Sequence, residues 1–388
     1  MRPQLFRLNY HLKSPKKIKM SESSKSEQRQ RRSINKNQIV KNNFEDFIWV
    51  NFLKPFFFSF DPENVHHLVV NLLKFFKPVL FLRSKFYSFK KHEQKKLKRK
   101  LFGINFPNPV GLAAGFDKNA ELIDQMSQIG FGFVEIGTVT PLPQSGNPKK
   151  RLFRLENDQA LINRLGFNNI GVDKVIDSLK KNKNVVIGGN IGKNKITTNE
   201  NAKNDYLICF KKLYNYVDYF AINVSSPNTP NLRELQNADK LRSILIPILK
   251  ENKSRSNKPI LLKISPDLSD FNIKNIVELS MNLKLNGIIC TNTTIHRKNL
   301  KSKKSLSNET GGLSGRPLQL RSNEIIRMIK KFSNGTLPII GVGGILSPRD
   351  AIEKLDAGAS LVQIYTGFIY NGPSFVYKIN KEILKTSN

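Results

Sequence analysis

The stretch "DYFAINVSS", residues 218–226, is almost wholly apolar up to Ile222 and then changes to amide and hydroxyl side chains. Such a run is typical of a strand buried on both faces, because parallel strands covered by helices read as near-continuous apolar runs. Seven similar runs lie between residues 108 and 367: NPVGLAAG (108–115), FGFVEIGT (131–138), NVVIGGNIG (184–192), KPILLKIS (258–265), LNGIICTNTT (285–294), LPIIGVGG (337–344) and SLVQIYTG (360–367).

Helical patterns alternate with these runs, among them "DKVIDSLKK", "FNIKNIVELSMNLK" and "SPRDAIEKLDAG". Eight buried strands that alternate with helices over about 250 residues indicate an α/β protein of the (β/α)8 TIM barrel class. An open, doubly wound sheet is the main alternative. The polar residues at nearly every strand end favour the barrel, because barrel enzymes place their active sites there.

The hydrophobic content of the chain is sufficient for one large core, and its positive charge is concentrated in two segments of the sequence. The chain has 388 residues, a hydrophobic fraction of 39% and a net charge of +34. Residues 1–43 carry 12 Lys or Arg against 2 Asp or Glu, and residues 83–100 carry 9 against 1. Basic segments of this kind suit nucleic acid or an anionic membrane face. A Lys-rich coding bias spread over solvated surface explains them equally well.

Four regions follow from these patterns. Residues 1–43 are polar and aperiodic, which predicts a disordered basic extension. Residues 44–82 predict a small N-terminal helical hairpin domain that associates with a membrane, because aromatic residues recur at helical spacing beside lysines. Residues 83–107 are a basic linker and barrel entry, and residues 108–388 form the barrel. No apolar run is long enough to span a bilayer, since 47–60 is interrupted by Asn51, Lys54 and Pro55.

The strand ends carry amides, hydroxyls and two lysines, but no carboxylate pair, no cluster of metal ligands and no GxSxG motif. We therefore expect neither a hydrolase nor a metal site. The two cysteines, Cys209 and Cys290, lie far apart in apolar surroundings, so we expect both to be buried and inert. Glycines after the last two strands, together with "TGGLSGRPL" and Lys263, favour a phosphorylated cofactor.

Eight motifs, in this order, resemble those of the class 2, quinone-linked dihydroorotate dehydrogenases: "GLAAGFDKN", "EIGTVTPLPQSGNPKKRLFRL", "LINRLGFNN", "NIGKNK", "INVSSPNTPNLR", "TNTT", "GGLSGRPL" and "IIGVGGI". The resemblance runs from about residue 44 to the C-terminus. It implies an oxidoreductase and flavoprotein of pyrimidine biosynthesis, which oxidises dihydroorotate to orotate on FMN and reduces a membrane quinone.

The resemblance also implies roles for individual residues. Ser226 is the catalytic base that removes the C5 proton, where class 1 enzymes use a cysteine. The substrate is bound by Lys118, Asn163, Arg164, Leu165, Gly166, Phe167, Asn223, Asn228, Asn292 and Thr293. FMN is bound by Ala114, Gly115, Phe116, Asp117, Lys118, Thr138, Asn190, Asn223, Lys263, Thr291, Gly315, Gly344, Tyr365 and Thr366. Candidates for the quinone site are His66 and Arg154.

Two other readings predict different properties. A tRNA dihydrouridine synthase is also an FMN barrel and would explain the basic charge, but such enzymes need a catalytic cysteine where this chain has Ser226. A non-catalytic barrel that binds membranes or nucleic acid predicts a broken site, yet every matched strand end is filled. We expect no nucleic-acid partner. We expect peripheral attachment to the cytoplasmic side of a bacterial inner membrane, with the mitochondrial inner membrane as the alternative.

Overall fold

The computed structural model describes residues 44–180 and 185–386. The extension expected over residues 1–43 lies outside these ranges. The described residues form thirteen strands: β1 (Arg99–Leu101), β2 (Ile104–Phe106), β3 (Val110–Leu112), β4 (Phe133–Val139), β5 (Leu152–Leu155), β6 (Ala160–Asn163), β7 (Val186–Ile191), β8 (Tyr219–Asn223), β9 (Ile260–Ile264), β10 (Gly287–Cys290), β11 (Gly312–Gly315), β12 (Ile339–Val342) and β13 (Leu361–Ile364).

Eight of these strands close into a parallel barrel in the order β3-β4-β7-β8-β9-β10-β12-β13, and β13 pairs with β3 to complete the ring. They are the eight runs picked out in the sequence, so the prediction of a (β/α)8 barrel is confirmed. Each pairs with the strands before and after it in chain order because right-handed β-helix-β connections bring the next strand alongside.

Fifteen α-helices lie in the described residues: α1 (Phe44–Ile48), α2 (Lys54–Phe58), α3 (Pro62–Phe75), α4 (Lys77–Phe86), α5 (Lys91–Leu97), α6 (Ile123–Ile129), α7 (Val172–Leu179), α8 (Ala202–Leu213), α9 (Ala238–Lys253), α10 (Asp270–Asn282), α11 (Lys304–Ser307), α12 (Gln319–Phe332), α13 (Pro348–Asp356), α14 (Thr366–Asn371) and α15 (Phe375–Thr386). Helices with one apolar stripe cover the barrel. In α12, for example, Ile325, Ile326 and Ile329 are fully buried.

Side chains on the barrel strands alternate between two cores. Val134 and Ile136 of β4 pack in the large core between barrel and helices, whereas Phe133 belongs to a second core with Tyr219 and Leu261 inside the barrel. Successive side chains of a strand point to opposite faces. On each barrel strand, the residue two positions after a member of the inner core therefore also points into the barrel. It lies nearer the C-terminal end of that strand.

A three-stranded antiparallel sheet, in the order β11-β6-β5, stands outside the barrel. Strands β5 and β6 belong to the connection that follows β4, and β11 belongs to the connection that follows β10. Both connections leave the C-terminal ends of barrel strands, so this sheet lies at that end. In the sequence these segments stand out only as motifs, and the sheet was not predicted.

The N-terminal helices extend further than the predicted hairpin. Asp61 caps α3 by accepting hydrogen bonds from the backbone N–H groups of Glu63 and Asn64, as the Asp-Pro sequence predicts. A further helix, α4, follows directly. Within the described part of the chain, no single helix is long and apolar enough to cross a membrane. Taken together, α3 and α4 have sufficient length and apolar composition, but the two helices are bent by 78° relative to each other.

Candidate active site

A cleft opens at the C-terminal end of the barrel. It brings together most of the residues singled out in the sequence. The predicted residues that line it are Ala114, Gly115, Lys118, Thr138, Asn163, Leu165, Gly166, Phe167, Asn223, Ser226, Asn228, Lys263, Thr291, Asn292, Thr293, Gly315, Gly344, Tyr365 and Thr366. Residues that are more than 250 positions apart in sequence thus share one cavity because parallel strands all end on the same face.

Four residues predicted to bind substrate or FMN do not line this cleft. Phe116 and Asp117 line a second, neighbouring cavity, and Asn190 and Arg164 line neither. The side chain of Asn190 is fully buried behind it, where its Oδ1 accepts hydrogen bonds from Thr138 Oγ1 at 2.6 Å and Asn223 Nδ2 at 3.1 Å. Arg164 points away and forms an ion pair with Glu309. The structure therefore places Asn190 as a support for residues that line the cleft.

Ser225 and Ser226 follow β8 and point in different directions. The Ser225 hydroxyl donates to Asn223 Oδ1 at 3.0 Å and accepts from Asn292 Nδ2 at 3.0 Å, so its hydrogen bonds lie within the protein. Ser226 lines the cleft, and its Oγ accepts from the backbone N–H of Asn228 at 3.2 Å. Of the two, Ser226 offers its hydroxyl to a ligand.

Carboxamides form one wall around Ser226. Asn228 Nδ2 donates to Asn163 Oδ1 at 3.0 Å, and Asn163 lies at the end of β6 in the antiparallel sheet. The Oδ1 atom of Asn228 is buried and has no hydrogen-bond partner among the described residues. A buried acceptor without a partner is costly, so a ligand donor that reaches it would be bound favourably.

Lys118 lies in the connection after β3 and lines the cleft. Its pKa is lowered to about 8, mainly because burial disfavours the ammonium ion, with a further contribution from the charge of Arg151. Glu63 and Asp117 act in the opposite direction. Near neutral pH the side chain is therefore a cation poised to bind an anionic ligand, and it is easily neutralised.

Arg233 was not predicted from the sequence to belong to the site, but it contacts three of the connections that form it. Its guanidinium donates to the backbone carbonyls of Ser225 at 3.0 Å and Thr293 at 2.8 Å and pairs with Asp267 at 2.7 Å. These contacts join the connections after β8, β9 and β10. The signal in the sequence is a charged residue three positions beyond the "SSPNTP" segment, at the end of the motif "INVSSPNTPNLR".

Glu135 was also missed. It is fully buried in the middle of β4, and its carboxylate accepts from Lys263 Nζ at 3.1 Å. It lies inside the apolar run FGFVEIGT and not at a strand end, where the barrel class predicts the functional side chains. A single acid within a buried strand is itself a signal, because a charged side chain is almost never fully buried without a partner.

A second, smaller cavity lies between α3 and the connection after β3. His66, Phe116 and Asp117 line it, as does Lys118, which lines both cavities. The His66 ring meets the Phe116 ring edge to face at 5.1 Å. Burial lowers the pKa of His66 to about 3, with help from the charge of Lys118, so this imidazole is neutral.

Asp117 and Arg154 are held by backbone groups. The carboxylate of Asp117 accepts from the N–H groups of Glu121 and Leu122, both at 2.8 Å, and burial raises its pKa to about 6. Arg154 does not line either cavity. It donates to the carbonyl of Phe60 at 2.7 Å and lies over the ring of Phe58, so it anchors the N-terminal helices to the sheet.

Comparison with known proteins places the chain in a family. The family model described as dihydroorotate dehydrogenase matches residues 96–386. The protein of Christiangramia forsetii named dihydroorotate dehydrogenase (quinone) is 54% identical over 343 residues, which cover 87% of this chain and 99% of that protein. The protein of the same name from Thermosynechococcus vestitus is 47% identical over 351 residues, 87% of this chain and 96% of its own length.

Solved structures agree with this assignment. The crystal structure of DHODH from Eimeria tenella in complex with ferulenol is 40% identical, has a TM-score of 0.75 and covers 84% of this chain and 91% of its own. The ligand-free type from the same organism gives a TM-score of 0.76 with the same identity, covering 84% and 95%. The chain therefore belongs to the dihydroorotate dehydrogenase family.

Proposed function

We propose that this chain oxidises dihydroorotate to orotate and passes the electrons to a quinone, as a step in pyrimidine biosynthesis. The observation that carries the proposal is the cleft in which the Ser226 hydroxyl lies among carboxamides and two lysines. Relatives named dihydroorotate dehydrogenase (quinone) match nearly their whole length, which supports the quinone as acceptor. The tRNA dihydrouridine synthase alternative has no such support.

We propose FMN as the flavin that the cleft holds. Two buried polar atoms that belong to residues of the cleft, Thr291 Oγ1 and Gln363 Oε1, have no hydrogen-bond partner among the described residues. A heteroatom-rich ring can satisfy such atoms. Gly343 and Gly344, at φ of 114° and 77°, also line the cleft. They bring backbone close to a ligand, as phosphate-binding loops do.

The residues of the chain supply binding and proton transfer. Lys118 binds the carboxylate of dihydroorotate, and the carboxamides around Asn163 and Asn228 orient its ring. Ser226 removes the proton from C5. Lys263, Thr291 and Gly344 would hold FMN, which would supply the acceptor for the hydride of C6. A serine hydroxyl is a weak base, so its own proton has to move on as the substrate proton arrives.

Thr229 is suited to receive that proton. Its side chain is buried three residues beyond Ser226, and its Oγ1 has no partner among the described residues. A hydroxyl both donates and accepts, so it can pass a proton on to a water molecule. Lys118 and the carboxamides meanwhile face the charge that develops at C5, which is the usual role of preorganised donors.

We also propose that the N-terminal helices attach the enzyme to a membrane, where its quinone is dissolved. Large apolar side chains are exposed on α2 to α4 and the turn after α2: Phe56, Phe60, Phe75, Phe76, Val79, Phe81, Leu82 and Phe86. His66 and Phe116 would meet the quinone in the second cavity. The attachment is peripheral and on the cytoplasmic side of a bacterial inner membrane.

The visible spectrum of the purified protein under anaerobic conditions tests the activity. We expect dihydroorotate to bleach the flavin and a short-chain ubiquinone to restore it, whereas fumarate or NAD⁺ in place of the quinone should leave the flavin bleached. A protein that stays yellow with dihydroorotate would overturn the substrate. A protein that holds no flavin, even after reconstitution with FMN, would overturn the cofactor and favour a binding role.

A further inference from the structure

Glu135 lies inside the barrel, beneath Lys263 and Gln363, which line the cleft. Phe133 of the same strand belongs to the inner core, and Glu135 follows it by two residues, so its side chain points inward. The carboxylate is fully buried and accepts four hydrogen bonds. The donors are Gln363 Nε2 at 2.7 Å, Asn190 Nδ2 at 2.8 Å, Lys263 Nζ at 3.1 Å and Tyr219 OH at 3.3 Å.

These bonds decide which way two amides face. Asn190 and Gln363 both turn their NH₂ groups toward Glu135, so their oxygens must point elsewhere. The oxygen of Asn190 accepts from Thr138 and Asn223. The oxygen of Gln363 is buried without a partner among the described residues, on a residue that lines the cleft. By holding the NH₂ group of Gln363, Glu135 turns the Oε1 atom of Gln363 toward a ligand ring in the cleft, where it can accept a hydrogen bond.

Glu135 also balances a charge. Lys263 lines the cleft and is buried, and its ammonium group forms an ion pair with Glu135. Removal of one partner from a buried ion pair leaves the other charge uncompensated. Without the carboxylate, the field of Lys263 would act fully on the ligand above it.

We propose that Glu135 is a positioning residue that sets the reduction potential of the bound flavin through Lys263 and Gln363. The inference rests on the proposed function, in which the flavin ring lies over Lys263. Reduction adds negative charge to the flavin, and a positive charge nearby favours that form. The carboxylate of Glu135 offsets this effect and keeps the potential lower, so that the reduced flavin gives up its electrons to the quinone readily.

The test is the midpoint potential of FMN in the Glu135→Gln holoenzyme, measured by equilibration with a reference dye. We expect a more positive potential than in the wild type, with at least a tenfold higher ratio of reduced to oxidised flavin at a fixed potential. For a two-electron couple this is about 30 mV. The absorption bands of the bound flavin should shift as well, because Gln363 loses its fixed orientation.

Two further variants separate charge from packing. Glu135→Asp keeps the charge but draws it back from Lys263, so we expect a smaller shift in the same direction, and this variant serves if Glu135→Gln fails to fold. Tyr219→Phe removes a neutral donor from the same carboxylate and should leave the potential unchanged.

A potential equal to that of the wild type in both Glu135 variants would overturn the inference. An equal shift in Tyr219→Phe would also overturn it, because the cause would then be packing. These outcomes are distinct from a failure of the proposed function. In that case the wild-type protein itself would hold no FMN or would not be reduced by dihydroorotate.

Discussion

At the scale of single residues, the division of labour between two adjacent serines is the sharpest feature of the site. Ser225 makes its hydrogen bonds inside the protein, and Ser226 faces the cleft. We predict that Ser226→Ala binds FMN normally but reduces it with dihydroorotate 10²- to 10⁴-fold more slowly, the usual contribution of a general base. Anaerobic stopped-flow absorbance measures this rate directly.

The matched control is Ser225→Ala. It removes a hydroxyl of the same size one residue away and disturbs only Asn223 and Asn292, so it should raise the KM for dihydroorotate more than it lowers the rate of flavin reduction. A Ser226→Ala enzyme that reduces its flavin at the wild-type rate would rule out Ser226 as the base. Loss of FMN in that variant would instead indicate a structural role.

At the scale of elements, one ion pair connects the N-terminal helices to the connection that supports Asn228 beside Ser226. Glu63 of α3 pairs with Arg151 at 2.7 Å, and both side chains are buried. Hydrogen bonding to Arg151 holds the pKa of Glu63 below its usual value. Arg151 Nη1 also donates to the carbonyl of Asn147 at 2.7 Å, and Asn147 Nδ2 donates to the carbonyl of Asn228 at 3.0 Å.

We therefore predict that Arg151→Met lowers the free energy of unfolding by about 3 kcal/mol, the lower end of the cost of breaking a buried ion pair. Glu63 loses its buried partner and keeps only the exposed Lys149 and His67, at 4.0 and 3.9 Å. The substitution should also raise the KM for dihydroorotate, since the connection that supports Asn228 loses its anchor. Thermal denaturation and steady-state kinetics measure the two effects. Lys180→Met breaks an exposed ion pair with Asp177 and should change neither. An unchanged melting temperature in Arg151→Met would contradict the prediction.

The barrel could be predicted from the sequence because each of its strands is a local apolar run. The sheet of β5, β6 and β11 could not. Its strands have four residues each, and β11 pairs with β6 although about 150 residues separate Asn163 from Gly312. No local pattern records a pairing over that distance. The role of Glu135 could not be predicted for a related reason. Its hydrogen-bond partners lie on β7, β8, β9 and β13, which become neighbours only when the barrel closes.

At the scale of the whole molecule, the proposed attachment to a membrane depends on the surface of the N-terminal helices and the segment that follows them. Exposed apolar side chains on α3 and α4 are followed by a basic segment in which Lys90, Lys91, Lys95, Lys98 and Lys100 are exposed. Each lysine near an anionic surface adds about 1 kcal/mol of attraction. The domain boundaries proposed from the sequence, with membrane helices over 44–82, a basic linker over 83–107 and a barrel over 108–388, stay a prediction.

We predict that the protein sediments with vesicles that contain phosphatidylglycerol. Addition of 0.5 M salt should release most of the protein, and so should the double substitution of Phe75→Ser and Phe86→Ser. Salt screens the lysines, and the two serines remove apolar area that would enter the bilayer. Phe271→Ser is the matched control, because Phe271 is 70% exposed but lies on α10 of the barrel. Equal release by Phe271→Ser, or equal binding to neutral vesicles at all salt concentrations, would contradict this prediction.

The ring closure between β3 and β13 has a consequence for how the protein is made. Val110 of β3 pairs with Val362 of β13, so the first barrel strand lacks one of its neighbours until almost the entire chain has left the ribosome. At a synthesis rate of about 5–20 residues per second, that interval lasts on the order of ten to fifty seconds. Throughout it, a strand edge that the finished enzyme hides completely is open to chaperones and to neighbouring nascent chains.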